Sequence, residues 1–181
     1  VSFKLDIKEI SNNRKAPNNF SSQRNYASQS VLSIGNWYKL AVTEDGIYKL
    51  NRNFLKSIGI DIDNLDPRII KIFANGGELL PFKNSDFRYD DLRENSIRVV
   101  GESDGRFDST DYILFYGQSP HKWQRVTDNS CPNRKFMHDY HLYSDSSYYF
   151  ITYGQGIGKR IQNVSSSASS VNNTVSDFDD R

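Results

Sequence analysis

The stretch "GESDGRFDSTDYILFYG" (residues 101–117) sets Glu102, Asp104, Asp108 and Asp111 around a mid-loop glycine, directly before an aromatic-rich apolar run. Its reading decides the fold. An EF-type calcium loop requires flanking helices, whereas a plain turn with these neighbours requires strands. Such a calcium loop places oxygen ligands at positions 1, 3, 5, 9 and 12, with glycine at 6 and an apolar residue at 8. With Asp104 at position 5, Gly105, Phe107, Asp108 and Asp111 fall at 6, 8, 9 and 12, and Glu102 at 3. Position 1 is then Val100, whose side chain cannot ligate. The flanks, "NSIRVVG" (95–101) and "DYILFYG" (111–117), are rich in β-branched and aromatic residues, which favour strands. The stretch therefore reads as strand, turn, strand. The second run is apolar almost throughout and predicts a central strand covered on both faces. Two roles stay open for the acids: calcium ligands in a non-EF geometry, from Asp104, Asp108 and Asp111, or caps on backbone donors of a strand connection.

Upstream, "WYKLAVTEDGIYKL" (37–50) places two β-favouring runs around Thr43-Glu44-Asp45-Gly46, and Asp-Gly predicts a hairpin turn. "NRNFLKSIG" (51–59) predicts a helix of about two turns, with Asn51 as N-cap and Gly59 as a left-handed stop. "DPRIIKIFANGGELLPF" (66–82) predicts an Asp-Pro turn, a strand from Ile69 to Ala74, an Asn-Gly-Gly reversal and a short strand ended by Pro81. "YHLYSDSSYYFITYG" (140–154) predicts a pair of strands around Ser144 to Ser147. At the N-terminus, Phe3, Leu5 and Ile7 alternate with polar residues as in a half-buried strand. Residues 11–30 are too polar to offset the entropy of ordering and predict a mobile loop. The domain reading is 1–36 as strand plus loop, 37–164 as a β-sandwich-like domain, and 165–181 as a Ser/Asn-rich loop leading into a further strand. Short strands, frequent turns and one small helix together predict a mainly antiparallel β-sandwich-like domain, incomplete at its C-terminal end.

Composition narrows the function classes. The 181 residues suffice for one domain whose core needs no staple. Twenty-three basic residues against twenty-two acidic ones leave a formal charge of +1, which gives no electrostatic footprint for nucleic acid or anionic lipid. Eleven Tyr and eleven Phe lean the chain towards β structure. Cys131 is the one cysteine, so an internal disulfide and any zinc site needing two thiolates are excluded. No eighteen-residue apolar run or secretion-signal pattern is present in the sequence, and a signal already removed is compatible with it.

Two further constellations carry possible chemistry. Cys131, His138, Asp139 and His141 supply the residue types of a thiol nucleophile with its base, or of a metal site. His138 and His141, three apart in extended chain, are expected on opposite faces, and the plainer reading is a solvent-side thiol with loop histidines. Trp37, Trp123, Tyr148 and Tyr149 could stack on sugars or fill the core.

In order along residues 37–161, the segments "WYKLAVTEDGIYKL", "FLKSIGI", "DPRIIKIFANGGELLP", "RYDDLRENSIRVVGESDGRFDSTDYILFYGQSPHKW" and "HLYSDSSYYFITYGQGIGKRI" resemble the N-terminal, non-catalytic region of the type IX secretion sortases. These are gingipain-like cysteine peptidases of Bacteroidetes. The resemblance implies a cell-surface protein held at the outer membrane by the barrel protein PorV, which removes C-terminal signal domains from cargo and attaches the cargo to anionic lipopolysaccharide. It implies that this chain is an N-terminal piece of a longer protein, without enzymatic activity of its own. The catalytic Cys and His of the family lie in a downstream peptidase domain and do not transfer to Cys131, His138 or His141. By analogy with gingipain prodomains, Lys159 or Arg160 in "GIGKRIQ" would be a basic plug for the peptidase cleft. The alternative is an ordinary pair of surface charges. No cofactor is implied beyond the calcium considered above. The reading from another class is a surface carbohydrate-binding or adhesion module.

Overall fold

In the computed structural model, residues 26–125 and 136–163 are described. The N-terminal alternation at Phe3–Ile7, the polar loop up to residue 25, Cys131 and residues 164–181 lie outside them. The elements run β1 (Tyr38–Val42), β2 (Gly46–Asn51), α1 (Arg52–Ser57), β3 (Lys71–Phe73), β4 (Glu94–Asn95), β5 (Arg98–Val100), β6 (Tyr112–Gly117), β7 (Lys122–Arg125), β8 (Phe136–Asp139) and β9 (Ser147–Thr152).

The strands form a four-stranded sheet in the order β1-β9-β3-β4, a three-stranded sheet in the order β2-β6-β5, and a separate ribbon, β7-β8. All pairings of these strands are antiparallel. The core lies between the two larger sheets. Leu40, Val42, Ile72, Tyr149 and Ile151 from the first meet Leu50, Val99, Ile113 and Phe115 from the second, and the Phe115 and Tyr149 rings approach to 5.1 Å. Two sheets burying one face each against a shared core make a β-sandwich-like domain of mainly antiparallel strands with one short helix, the architecture the alternation predicts.

The helix forms as its sequence dictates. The Asn51 side chain accepts from the Phe54 N–H at 2.9 Å. At the other end Gly59 has φ +93°, while its N–H donates to the Lys56 carbonyl and the Ile60 N–H to that of Leu55. These two bonds are a Schellman stop, completed by the buried pair Leu55 and Ile60.

Strand pairing departs from the local expectations at four places. Residues 37–50 are not a hairpin: β1 pairs with β9 and β2 with β6. The turn between them carries the chain from one sheet to the other. Gly46 is not among the positive-φ glycines, so the backbone of a two-residue hairpin turn is not adopted. Instead the Asp45 carboxylate accepts from the Ser119 N–H at 2.7 Å. Long apolar strands elsewhere offer a full ladder plus a buried face, which outweighs the local turn preference.

Second, Glu78–Leu80 form no strand, and β3 takes β4 as its neighbour. Third, β9 has no partner strand in residues 140–146, since the strand before it, β8, pairs with β7. Fourth, β6 is central in its sheet but is covered on one face only. Ile113 and Phe115 are buried, whereas Leu114 is half-buried and Tyr116 is 55% exposed. The apolar run thus overstated burial, because tyrosine tolerates a wet outer face.

The end of the expected loop, residues 26–30, is tied down. The Ser30 hydroxyl and the Val31 N–H both donate to the Asp91 carboxylate. Burial alone would raise the pKa of Asp91, but donors from Val31, Leu92 and Ser30 more than offset it and hold the carboxyl below its ordinary range.

Candidate interaction surface

The ribbon β7-β8 stands apart from both sheets and brings together the residues that the sequence singles out for chemistry. Its register pairs Trp123 with His138, Lys122 with Asp139 and Arg125 with Phe136. Paired residues share a face and alternate along each strand. One face therefore carries Trp123, Arg125, Phe136 and His138, and the other Lys122, Gln124, Met137 and Asp139. The rings form a continuous ladder. His138 stacks on Trp123 at 4.4 Å and 18°, and meets Tyr140 edge-on at 4.3 Å. His121 lies 5.3 Å from Tyr140.

The chain's three histidines all lie at this ribbon. His138 and His141 line one groove of about 360 Å³ together with Lys122, Asp139 and Leu79. The alternation that would have put these two histidines on opposite faces ends with β8 at Asp139. The His141 N–H donates to His121 Nδ1 at 3.1 Å, and the Tyr143 N–H to His141 Nδ1 at 3.2 Å. Rings that accept through Nδ1 carry their proton on Nε2. Both imidazoles act here as backbone caps for the turn after β8. The thiol of Cys131 lies outside the described residues. Among the described residues no group of three or more His, Cys, Asp or Glu is arranged to hold a metal ion.

The four aromatics considered as a sugar platform are dispersed. Trp37 packs edge-on against Phe73 at 5.2 Å and donates its Nε1–H to the Ile34 carbonyl. Tyr149 is buried, its hydroxyl accepting from the Gln118 N–H at 2.8 Å. Burial drives its pKa above the ordinary tyrosine value. Tyr148 is covered by the Lys39 ammonium at 3.6 Å. Trp123, stacked on His138, is the most exposed of the four at 69%.

In the acidic loop the carboxylates of Glu102, Asp104 and Asp111 meet protein donors, while Asp108 bonds through its backbone. Asp104 accepts from the Arg106 N–H at 3.0 Å, and Asp111, buried, from the Asp108 N–H at 2.7 Å. Glu102 takes the Arg160 guanidinium at 2.9 Å. These bonds are what a strand connection needs. Calcium at about 1 mM is expected to leave the melting temperature unchanged, since a ligand stabilises only in proportion to its binding. A calcium-dependent rise in the melting temperature would establish a metal role for Asp104, Asp108 and Asp111.

Arg160, one of the two residues suggested as a plug, is 16% exposed. Its guanidinium also donates to the Pro67 carbonyl at 3.1 Å and to that of Arg68 at 2.9 Å. Lys159 beside it is the exposed member of the pair.

Sequence reading missed His121, Phe136 and Tyr140 as members of the ring ladder. The signal was present: His121 and Trp123, like Phe136, His138 and Tyr140, recur at the period of two that puts strand residues on one face. Only the pairing of two segments with ten residues between them in the chain, β7 and β8, brings them together.

No protein-family model matches this chain, and no curated protein matches it by sequence. Among solved structures, dimeric latent PorU from Porphyromonas gingivalis is similar at a TM-score of 0.57 with 24% identity, over 82% of this chain and 12% of that one. A likeness at this identity shows the fold. The chain thus spans a small part of the length of the protein it matches, and has the fold of a segment of PorU.

Proposed function

We propose that this chain is the N-terminal, non-catalytic, prodomain-like part of a cell-surface type IX secretion sortase. In this reading it packs on a downstream gingipain-like cysteine peptidase domain and supports that domain's folding, latency or docking at the outer membrane. The barrel protein PorV and secreted cargo are then partners of the whole protein. The observation that carries the reading is the PorU-like fold over 82% of the chain, and the ordered sequence resemblance over residues 37–161 supports it. A latent PorU as structural neighbour agrees with a role in holding a peptidase inactive.

The test has two parts. The purified 181-residue chain is expected to show no peptidase activity towards sortase-type peptides, and the full-length gene product to show it. Cleavage by the short chain that disappears in Cys131→Ala would overturn the proposal. A second reading, a carbohydrate-binding or adhesion module, is favoured by the exposed Trp123 ring, next in sequence to the groove-lining Lys122 and Gln124. Glycan-array binding lost in Trp123→Ala, from a full-length protein without a peptidase domain, would replace the first reading with this one.

A further inference from the structure

We infer that the ring-bearing face of the β7-β8 ribbon is the surface that seats the peptidase domain of the same polypeptide. The inference rests on the proposed function and names the contact that reading leaves open.

A lone two-stranded ribbon is marginal in water and needs a further layer on its apolar face. Here β7 and β8 bond only to each other. The ribbon is tethered to the rest of the domain through the Lys122–Glu78 ion pair. Yet its ring face is open: Trp123 is 69%, Tyr140 65% and Phe136 58% exposed. Leu142 and Tyr143, in the turn that follows, are exposed too. Rings of this kind left in water cost the domain the hydrophobic gain of covering them. Trp, Tyr, Phe, Met and Arg are also the residues enriched in the buried centre of protein interfaces, where Lys and Glu are depleted. The ring face has that composition.

Two observations single out the occupant. The chain corresponds to 12% of the solved chain that it resembles, so in the proposed reading the largest surface tethered close by is the remainder of that polypeptide. Tethering raises the effective concentration of such a partner to the millimolar range, enough for a modest patch. Charge gives the chemistry. The ring face carries the Arg125 guanidinium, while Asp139, the one carboxylate in the described strands of the ribbon, lies on the other face. The complementary patch is apolar and edged with carboxylates. The outer face of β2-β6-β5 is the weaker competitor. It exposes Ile47 and Tyr116, but Lys49 already covers its Tyr112 ring at 4.1 Å.

The test uses the full-length protein with a photo-crosslinking residue at one of two positions, Trp123→p-benzoylphenylalanine or Ile47→p-benzoylphenylalanine. Position 123 is expected to give crosslinks to peptidase-domain peptides at ten or more times the yield of position 47. As a second measurement, Trp123→Ser with Tyr140→Ser in the full-length protein is expected to speed limited proteolysis between the two domains at least tenfold. Crosslinks from position 47 with none from 123 would remove this docking surface and leave the proposed function standing. Crosslinks from 123 solely to polysaccharide, or to a second copy of the protein, overturn the inference as well. A full-length gene product without a peptidase domain removes the proposed function and the inference together.

Discussion

Replacing Gly101 by alanine is expected to destabilise the domain by about 2–5 kcal/mol. Two costs combine. Gly101 has φ +96°, where an L-residue pays roughly 1–2 kcal/mol for its Cβ. The added methyl would also overlap the Asp111 carboxylate, which is buried and holds the Asp108 N–H. Displacing that carboxylate breaks its part-buried, charge-assisted bond to the Asp108 N–H, at about 1–3 kcal/mol. The melting temperature should fall by roughly 2–4 °C for each kcal/mol. The two costs can be separated by a double-mutant cycle. In an Asp111→Ala background the clash is gone, so Gly101→Ala should then cost only the backbone strain. Equal costs in the two backgrounds would show that the carboxylate is not the neighbour that matters. The glycine of the acidic loop is thus constrained by a carboxylate of the same loop.

Arg160→Ala is expected to cost about 2–4 kcal/mol by chemical denaturation. The guanidinium joins Glu102, in the loop after β5, to the carbonyls of Pro67 and Arg68, in the turn before β3. It thereby bolts one sheet of the sandwich to the other at one end. Beside it, the Ile97 N–H donates to the Lys159 carbonyl and the Ile161 N–H to that of Ile97. Truncation would leave a partly buried Glu102 carboxylate without its ion-pair partner, while the Pro67 and Arg68 carbonyls would keep only the Ile70 and Gly158 N–H donors. Arg160→Lys should recover less than half of the loss, because a single ammonium cannot reach all three acceptors that the planar fork spans. An Arg160→Ala variant within about 0.5 kcal/mol of wild type, the scatter of ordinary surface substitutions, would sink the argument. In the full-length protein, Arg160→Ala should lower stability without releasing peptidase activity.

The elements whose signals are local were legible in the chain. Asn51 and Gly59 delimit α1 because capping involves only neighbouring residues. The strand character of residues 95–101 and 111–117 followed from β-branched and aromatic content, and Val100 with its strand flanks ruled out an EF-hand. Alternation at short spacing was enough to give the sandwich class. What failed was pairing. Asp45-Gly46 looked like a hairpin turn, and only the competition of β6 and β9 for β2 and β1 revealed a corner between sheets. Residues 78–80 were apolar enough for a strand, yet β4 occupies the edge they would need. The ring ladder of the ribbon was invisible for the same reason, since Trp123 and His138 meet only through tertiary pairing.

By itself, then, the sequence determined where the backbone turns, where it caps and which segments prefer to be extended, since each depends on sterics and hydrogen bonds within a few residues. The tertiary structure alone decided which strands are neighbours, which ring faces stay in water, and that Arg160 is spent inside the fold. Those outcomes depend on burial and ladder partners far apart in the chain, for which every segment competes at once.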